Sequence, residues 1–403
     1  MSDWYEAKIK DFADVKGGKR LPKGKQLVKE PNNHPYIRIR DLGKAKYLQL
    51  TSEYEYVDDE TQQSISRYIV NEGDILISVV GTIGLIGIVG ATLDGANQTE
   101  NCDKIINIVG VMPEYLYYYL KSNFGQEEIR KGTVGAVQPK LPLKNVKDIS
   151  VFYPSMEEQE KIVAILSAID EKIETNEAVN NNLEQQIEMV LLKTINDTDT
   201  QPVKLGDYLY IKGRIGWKGL KKSEYLPISN YRIINGESLT LSGIDWNKAG
   251  YISAERYEES PEIMLSIGDI LLSKDGTIGK IGYVDKLDAP TSVASGIFVI
   301  RNTRQSEIST QFIYYLLKSK LFKAFIASRT EGSVIPHLYQ KDFMEFEFQL
   351  PSPDDMKIFD DTTADMFSLV FSNLNENERL IHLRDSLLPK LMSGELDVSD
   401  TDI

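Results

Sequence analysis

The sequence contains very little cysteine and histidine. Its 403 residues include one cysteine, Cys102, which excludes a disulfide framework and any metal site built from cysteine pairs. The three histidines, His34, His337 and His382, lie far apart along the chain, so a histidine-rich metal site is not expected. Hydrophobic residues make up 41% and charged residues 26%, which excludes collagen-like and wholly disordered chains. The length favours two domains with connectors.

A membrane-spanning segment is also not expected. The N-terminal residues form no apolar signal segment. Residues 75–93 carry no charge, which is long enough to suggest a transmembrane helix. However, glycine recurs at every third position from Gly81 to Gly90, a pattern typical of strands and tight turns. A second copy of this segment carries the charged residues Lys274 and Asp275. We therefore expect a soluble, cytoplasmic protein.

Positive charge is in short supply. The formal net charge is −14 and the pI is about 4.9, which on first reading argues against nucleic-acid binding, because phosphate contacts need local positive charge. A net charge is a sum, however, and the distribution along the chain decides the question.

An internal duplication organises the chain. Residues 73–89 (GDILISVVGTIGLIGIV) and 268–284 (GDILLSKDGTIGKIGYV) are identical at 12 of 17 positions. YLYYYLKS at 115–122 matches FIYYLLKS at 312–319, and GAVQPKL at 135–141 matches GSVIPHL at 332–338. The offset stays between 195 and 197 residues, so the chain is two copies of one unit.

Each copy predicts a mixed, β-rich domain followed by a long helix. Short β-branched and aromatic runs with glycine turns indicate strands, and a helix is expected at about 113–130, opened by Pro113. Ser155 and Glu158 form a capping box at the start of the first long helix. The predicted fold class is α+β, with two homologous target domains, two long helices in an antiparallel coiled coil, and pseudo-twofold symmetry. The predicted boundaries are 1–154, 155–197, 198–351 and 352–403, which are alternately domain and helix.

The two helices carry matching hydrophobic seams with 4–3 spacing. Asparagines interrupt both seams at equivalent positions, Asn176 and Asn180 in the first helix and Asn373 and Asn377 in the second. One interpretation is an antiparallel pair in which Asn176 lies near Asn377 and Asn180 near Asn373, which fixes the register. The other is that the asparagines are accidental. Thr363 and Arg384 also interrupt the second seam, so we expect its ends to splay or to meet another protein.

No catalytic motif is present. Residues 276–282 (GTIGKIG) resemble a phosphate-binding loop, but Ile281 follows the lysine where a Walker A loop needs serine or threonine. The loop is therefore either a repeated hairpin turn or a close backbone approach to a DNA phosphate. There is no NPPY-like or DPPY-like target-base motif, no glycine fingerprint for a methyl-donor cofactor, and no convincing metal-nuclease spacing.

Basic residues cluster at the same place in both copies. Residues 1–30 hold eight Lys/Arg and five Asp/Glu, and residues 204–222 hold six and one. Each cluster is either a solvated loop or a DNA contact, and Arg38 and Arg40 are either guanine contacts or the polar face of a strand. The candidate DNA-binding residues are Lys16, Lys19, Arg20, Lys23, Lys25, Arg38, Arg40, Gly81, Thr82, Lys140, Lys212, Arg214, Lys218, Lys221, Lys222, Arg232, Lys274, Gly276, Thr277 and His337.

The whole chain resembles the specificity subunit of type I restriction–modification enzymes. The most specific matching segments are YPSMEEQEKIV at 153–163 and LRDSLLPKLMSGEL at 383–396, together with GDILxS and GTIG in each half. The second helix departs at residues 354–356 (DDM), where the first has EEQ.

The resemblance implies a non-catalytic subunit. Each of two target-recognition domains would read one half of a bipartite site in double-stranded DNA, and the paired helices would set the spacer. Two methyltransferase subunits would dock on this chain, and restriction subunits would join them. S-adenosylmethionine, ATP and Mg²⁺ would be held by those partners, and no cofactor or metal by this chain.

Two other hypotheses compete with this one. The first is an enzyme acting alone, a nuclease or a methyltransferase, against which the missing motifs count. The second is a coiled-coil scaffold that does not bind DNA and whose duplicated domains bind protein.

The acidic charge has a definite location. Residues 157–197 hold ten acids and three bases, a net of −7, and residues 354–403 hold twelve and four, a net of −8. Since these two segments sum to −15, the other 312 residues sum to +1. The helices and tail are thus expected to face solvent or partners, and the near-neutral domains to face DNA.

Overall fold

The computed structural model of the chain divides into two compact units. It describes residues 4–196, 202–214, 219–330 and 337–398. Unit 1 comprises Met1–Ile173 and Arg379–Ile403, and unit 2 comprises Glu174–Glu378. Each long helix therefore begins in one unit and ends in the other. Most of the repeated block at 332–338 lies outside the described residues.

Unit 1 is built on a five-stranded sheet with the strand order β2-β9-β6-β7-β4. A three-stranded sheet, β5-β3-β8, and a two-stranded sheet, β1-β10, accompany it. The strands are β1 (Tyr5–Lys8), β2 (Asp14–Gly17), β3 (Pro35–Ile37), β4 (Tyr47–Leu48), β5 (Glu55–Tyr56), β6 (Ile75–Ser78), β7 (Ile86–Val89), β8 (Asn97–Gln98), β9 (Cys102–Ile106) and β10 (Ser150–Tyr153). The helices are α1 (Ile9–Phe12), α2 (Asp59–Ile65), α3 (Pro113–Lys121), α4 (Asn123–Gly132), α5 (Leu143–Lys147) and the long α6 (Met156–Asn196).

The continuous apolar run of β6 explains its central place. All four residues of β6 are buried, because one face packs on α3 and α6 and the other on the small sheet. Leu76 pairs with Gly87 of β7 and with Lys104 of β9, both antiparallel. The uncharged segment noted in the sequence is thus a buried hairpin, β6 and β7.

The helix expected at about 113–130 is two helices. Ser122 has an extended backbone, ends α3 and caps α4, where its hydroxyl accepts a hydrogen bond from Gly125 N at 3.3 Å. The equivalent Ser319 separates two helices of unit 2 and accepts from Phe322 N at 3.4 Å. A single serine therefore redirects the chain in both copies, and helix periodicity does not reveal it.

Unit 2 repeats this architecture. Its main sheet has the order β12-β20-β17-β18, next to the sheets β16-β13-β19, β11-β21 and β14-β15. The strands are β11 (Pro202–Lys204), β12 (Leu209–Gly213), β13 (Tyr231–Ile234), β14 (Leu239–Thr240), β15 (Gly243–Ile244), β16 (Gly250–Ile252), β17 (Ile270–Ser273), β18 (Ile281–Tyr283), β19 (Thr291–Val293), β20 (Ile297–Asn302) and β21 (Glu347–Gln349). The helices are α7 (Ala254–Glu258), α8 (Thr310–Lys318), α9 (Lys320–Thr330), α10 (Gln340–Met344) and the long α11 (Pro353–Ser393).

Both long helices start at the serine caps expected from the sequence. Ser155 Oγ accepts from Glu158 N at 3.4 Å, and Ser352 Oγ accepts from Asp355 N at 3.2 Å. The seam residues of both helices are mostly buried, as the 4–3 spacing requires.

The expectation that polar residues would weaken the second seam is wrong in the units described. Thr363 is fully buried, donates to Phe359 O at 2.8 Å and accepts from Gln311 Nε2 at 2.6 Å. Arg384 pairs with Asp170 at 3.0 Å. Each interruption has a partner in its own unit, so neither leaves a buried polar group unpaired.

The predicted fold class is confirmed for the described residues: two duplicated α+β units and two long helices whose seams run antiparallel. None of the helices within the described ranges has the length and apolar character needed to cross a membrane.

Candidate nucleic-acid interface

The first basic cluster of unit 1 leaves the edge strand β2. We call residues 16–25 the basic segment. Lys16, Lys19, Arg20 and Lys23 are exposed, and Arg20 Nε lies 2.6 Å from Glu100 Oε1. The pKa of Arg20 is raised by this hydrogen bond. Four cations of the segment thus face solvent, three of them without an ion pair among the described residues.

A close backbone contact places the basic segment. A Cβ on Gly18 would lie 2.0 Å from Thr99 O, so only glycine allows the chain to pass here. Gly18 N donates to Cys102 O at 3.1 Å, and Lys19 N donates to Gln98 O at 3.3 Å. The segment is therefore held against the turn that joins β8 to β9.

A second component is the turn between β6 and β7, residues 79–85, which we call the glycine loop. Ser78 Oγ donates to Thr82 O at 2.6 Å and accepts from Leu85 N at 2.8 Å. Gly81 has a φ of 77°, in the left-handed region that favours glycine. The loop is a hairpin turn, as one interpretation of the sequence required, and the side chain of Thr82 is exposed at its tip.

Unit 2 contains the same loop at residues 274–280. Ser273 Oγ donates to Thr277 O at 2.7 Å and accepts from Lys280 N at 2.8 Å, while Gly276 has a φ of 68°. Lys274 Nζ lies 5.1 Å from the centre of the Phe298 ring. The duplicated sequence therefore produces the same turn twice, with a lysine at its base only in unit 2.

A third component closes each glycine loop. In unit 1, Lys140 bridges antiparallel to Val80, and Leu141 N donates to Val79 O at 2.9 Å. In unit 2, His337 bridges to Asp275, and Leu338 N donates to Lys274 O at 3.0 Å. Two segments that are about 60 residues apart in sequence are thus joined in each unit.

The closing residues differ chemically between the units. Lys140 is exposed and stands opposite an apolar valine. His337 Nδ1 instead forms a hydrogen bond with Asp275 Oδ1, and the imidazole packs edge-on against the Tyr339 ring at 4.6 Å. Asp275 thus orients the His337 ring, so that Nε2 is the nitrogen left for an external group.

A buried carboxyl lies beneath the surface of unit 1. Asp103 on β9 pairs with Gly17 of β2 and with Ile77 of β6, between the basic segment and the glycine loop. Its side chain is 4% exposed, and burial raises its pKa to about 6, although nearby Lys140 opposes the shift. Its Oδ2 atom has no hydrogen-bond partner among the described residues.

Several predicted residues turn toward the protein. Lys25 lies 3.1 Å from Asp58 and 2.6 Å from Glu60. Arg38 pairs with Glu55, and Arg40 donates to Glu53 O at 2.9 Å. Because β3 ends at Ile37, these two arginines flank a 3-10 turn, and the interpretation of them as one face of a strand is wrong.

The second basic cluster is also divided. Lys212, Lys221 and Lys222 are exposed, whereas Lys218 lies outside the described residues. Arg214 is only 2% exposed and donates to Val293 O at 3.2 Å, and burial lowers its pKa. Arg232 donates to Trp246 O and stacks on that indole. Arg214 and Arg232 therefore stabilise unit 2 and take no place in the surface proposed below.

The four asparagines meet within unit 2. Asn176 Nδ2 donates to Asn377 Oδ1 at 2.8 Å, and Asn373 Nδ2 donates to Asn180 Oδ1 at 2.8 Å. Asn180 Nδ2 also donates to Val370 O at 3.1 Å. These amide pairs are buried and satisfied, while their role in fixing the register stays a prediction.

Sequence reasoning did not identify two partners of functional candidates. Asp275 was noted only as a charge, although its position opposite His337 in the duplicated pattern could have marked it. Asp170 was not singled out, although it follows the seam residue Ile169 and faces the interruption at Arg384. In the ranges that the structure describes, no cluster of three or more His, Cys, Asp or Glu side chains could hold a metal ion.

Comparisons with known proteins agree on one family. The family model of the type I restriction modification DNA specificity domain matches residues 1–185 and 198–381. The MjaIX specificity subunit of a type I restriction enzyme from Methanocaldococcus jannaschii is 26% identical, over 99% of this chain and 94% of that protein. The HindI specificity subunit from Haemophilus influenzae is 23% identical, over 98% of this chain and 100% of that protein.

A solved structure shows the same fold. The S subunit of a type I restriction–modification system from M. genitalium superposes with a TM-score of 0.56 at 19% identity, covering 97% of this chain and 96% of that one. The two matched domains, the duplicated interface and these relatives lead to one conclusion: the chain belongs to the type I restriction–modification DNA specificity family.

Proposed function

We propose that this chain is the non-catalytic subunit that gives a type I restriction–modification complex its DNA sequence specificity. The observation that carries the proposal is a repeated surface, in which each unit joins a basic cluster to a glycine loop and a closing segment. Since the side chains on the two surfaces differ, each unit would read a different half-site of a bipartite double-stranded DNA target.

The proposed contacts follow from exposure. In unit 1, Lys16, Lys19, Arg20 and Lys23 would bind phosphates, and Thr82 and Lys140 would lie closest to the bases. In unit 2, the corresponding residues are Lys212, Lys221, Lys222, Lys274, Thr277 and His337. Backbone amides of the glycine loops, at Gly81 and Gly276, are the remaining contacts.

The partners follow from what this surface does not supply. The acidic helices would bind two methyltransferase subunits, with restriction subunits joining the complex. S-adenosylmethionine, Mg²⁺ and ATP would be bound by those partners. A duplex held on both sides of the target base is what a base-flipping methyltransferase requires, and two recognition domains provide that grip.

The test begins with the target. Methylome sequencing of a host that expresses this chain with its methyltransferase should yield one bipartite methylated motif. The purified complex is then titrated with that duplex over a salt series. We expect K16Q/K19Q/R20Q/K23Q to weaken binding at least ~10-fold, and to reduce the salt slope by about 1 for each phosphate that the variant no longer neutralises.

The matched control is K8Q/K10Q/K44Q/K131Q, which removes four exposed or half-exposed lysine charges elsewhere in unit 1. It should retain the affinity within about twofold, because phosphate contacts act locally. Equally weakened binding in the two variants would show that total charge matters and that the proposed surface does not. No methylated motif and no specific retention would favour the protein-binding scaffold.

A further inference from the structure

The buried asparagines cannot determine which helix pairs with which. They occupy equivalent positions in α6 and α11, and each pair joins the first asparagine of one helix to the second of the other. If α6 met α6 of a second copy in the same antiparallel register, Asn176 would face Asn180 and the amide pairs would form again. The asparagines favour one register but permit three pairings.

One contact in unit 1 is not symmetric in this way. Asp170 of α6 is 8% exposed, accepts from Tyr118 OH at 2.7 Å, and pairs with Arg384 Nη1 of α11 at 3.0 Å. Arg384 also lies 2.9 Å from Asp385. The carboxylate of Asp170 therefore has a partner for each oxygen, which a buried charge requires.

The equivalent positions in unit 2 are apolar. The offset of 197 residues relates Asp170 to Phe367 and relates Arg384 to Ile187. Ile187 is fully buried in the core of unit 2, and Phe367 packs against the same core with Tyr283 and Phe371. Each unit thus has a matched pair at this position: charge with charge in unit 1, apolar with apolar in unit 2.

Pairing of like helices would destroy both matches. In an α6–α6 pair, Asp170 would face Ile187 of the other copy, twice. In an α11–α11 pair, Arg384 would face Phe367, twice. Each of these arrangements buries two charges without partners, and removing one partner from a buried ion pair is strongly destabilising.

We infer that the Asp170–Arg384 ion pair makes α6 pair with α11 and prevents either helix from pairing with its own copy in a second molecule. The asparagines set the register, and this ion pair sets the identity of the partner. The inference concerns the association of chains and is independent of DNA binding.

The test traps α6–α6 pairs in the full-length chain. Ile173→Cys and Leu183→Cys place two thiols on seam positions that face each other only between copies of α6. The sole native cysteine, Cys102, is buried. The chain is unfolded in urea, refolded at high concentration, oxidised, and assayed for disulfide-linked dimer on a non-reducing gel.

Three variants are compared in this cysteine background. D170F/R384I gives unit 1 the apolar pair of unit 2, and we expect at least a tenfold rise in linked dimer. D170N/R384Q removes both charges at nearly constant size and should also raise it severalfold. D170R/R384D exchanges the charges, still matches only α6 with α11, and should keep the dimer at the level of the native pair.

Two outcomes would overturn the inference. One is a native level of linked dimer in both neutral variants, with cooperative melting showing that they are folded. The other is a rise for D170R/R384D as large as that for D170N/R384Q, since disruption rather than charge matching would then explain it. If D170F/R384I fails to fold, D170N/R384Q alone decides.

Discussion

Asp103 shows, at the scale of the residue, how the proposed DNA surface carries a cost in stability. Its buried carboxyl titrates at a pKa of about 6, above the ordinary value, because burial disfavours the charged form. Below about pH 4 the carboxyl is protonated in both the folded and the unfolded chain, so it costs nothing. As the pH rises from about 4 to 6 only the unfolded chain ionises, and the folded state loses stability.

The substitution D103N tests this cost. It should raise the free energy of unfolding at pH 7 by about 2 to 3 kcal/mol and have little effect at pH 4. Urea denaturation at both pH values measures the difference. D14N, at an exposed carboxylate that accepts from Asn107 Nδ2 at 2.8 Å, is the control and should show no such dependence on pH. An equal effect of D103N at both pH values would contradict the assignment.

Sequence reasoning at this scale succeeded only where the information was local. The glycine loops and serine caps depend on residues a few positions apart, and the structure contains them. The inward turn of Lys25 depends on acids more than 30 residues away, and the burial of Arg214 depends on a strand 79 residues away. Basic residues could therefore be named from the sequence, but the exposed ones could not be separated from the paired ones.

At the scale of the element, the long helices are the most predictable part of the chain. Their seven-residue repeat is itself the packing rule, so seam, register and start were visible without coordinates. The break between α3 and α4 was not visible, because both helices have suitable helical sequences and a single hydroxyl ends one and caps the next. Helix existence followed from periodicity, and helix ends followed from single side chains.

The predicted spacer role of these helices has a direct test. Seven residues are inserted after Asn180 in α6 and before Asn373 in α11, which keeps both seams in register. The helices lengthen by about 10 Å, so we expect the unspecified spacer of the DNA target to grow by about three base pairs while both half-site sequences stay unchanged. Methylome sequencing reads the result. An unchanged spacer would refute this role, and an insertion in α6 alone is the control for misaligned seams.

At the scale of the whole molecule, two units with the same topology have separate hydrophobic cores. The core of unit 1 contains Ile75 and Tyr115, and that of unit 2 contains Ile270 and Phe312. The duplication was visible in the sequence because the core segments diverge slowly enough to align. The division into units was not, since the cut runs through both helices near Ile173 and Glu378.

Separate cores lead to separable specificities. Replacing residues 1–150 with the equivalent domain of a relative, and keeping both long helices, should change one half-site of the methylated motif and leave the other intact. The expected outcome rests on each unit building its own contact surface. Methylome sequencing before and after the exchange provides the measurement. A change in both half-sites would mean that the two surfaces do not read DNA independently.

The discontinuity of unit 1 has a consequence for how the protein is made. Leu391, Met392 and Val398, near the end of the chain, are buried in a core whose other members come from the first 166 residues. Unit 2 is a single continuous stretch, so its residues are all translated before the last piece of unit 1 is synthesised. The domain that is translated first is therefore completed last, and its nascent core waits with an open apolar site until the final helical turns arrive.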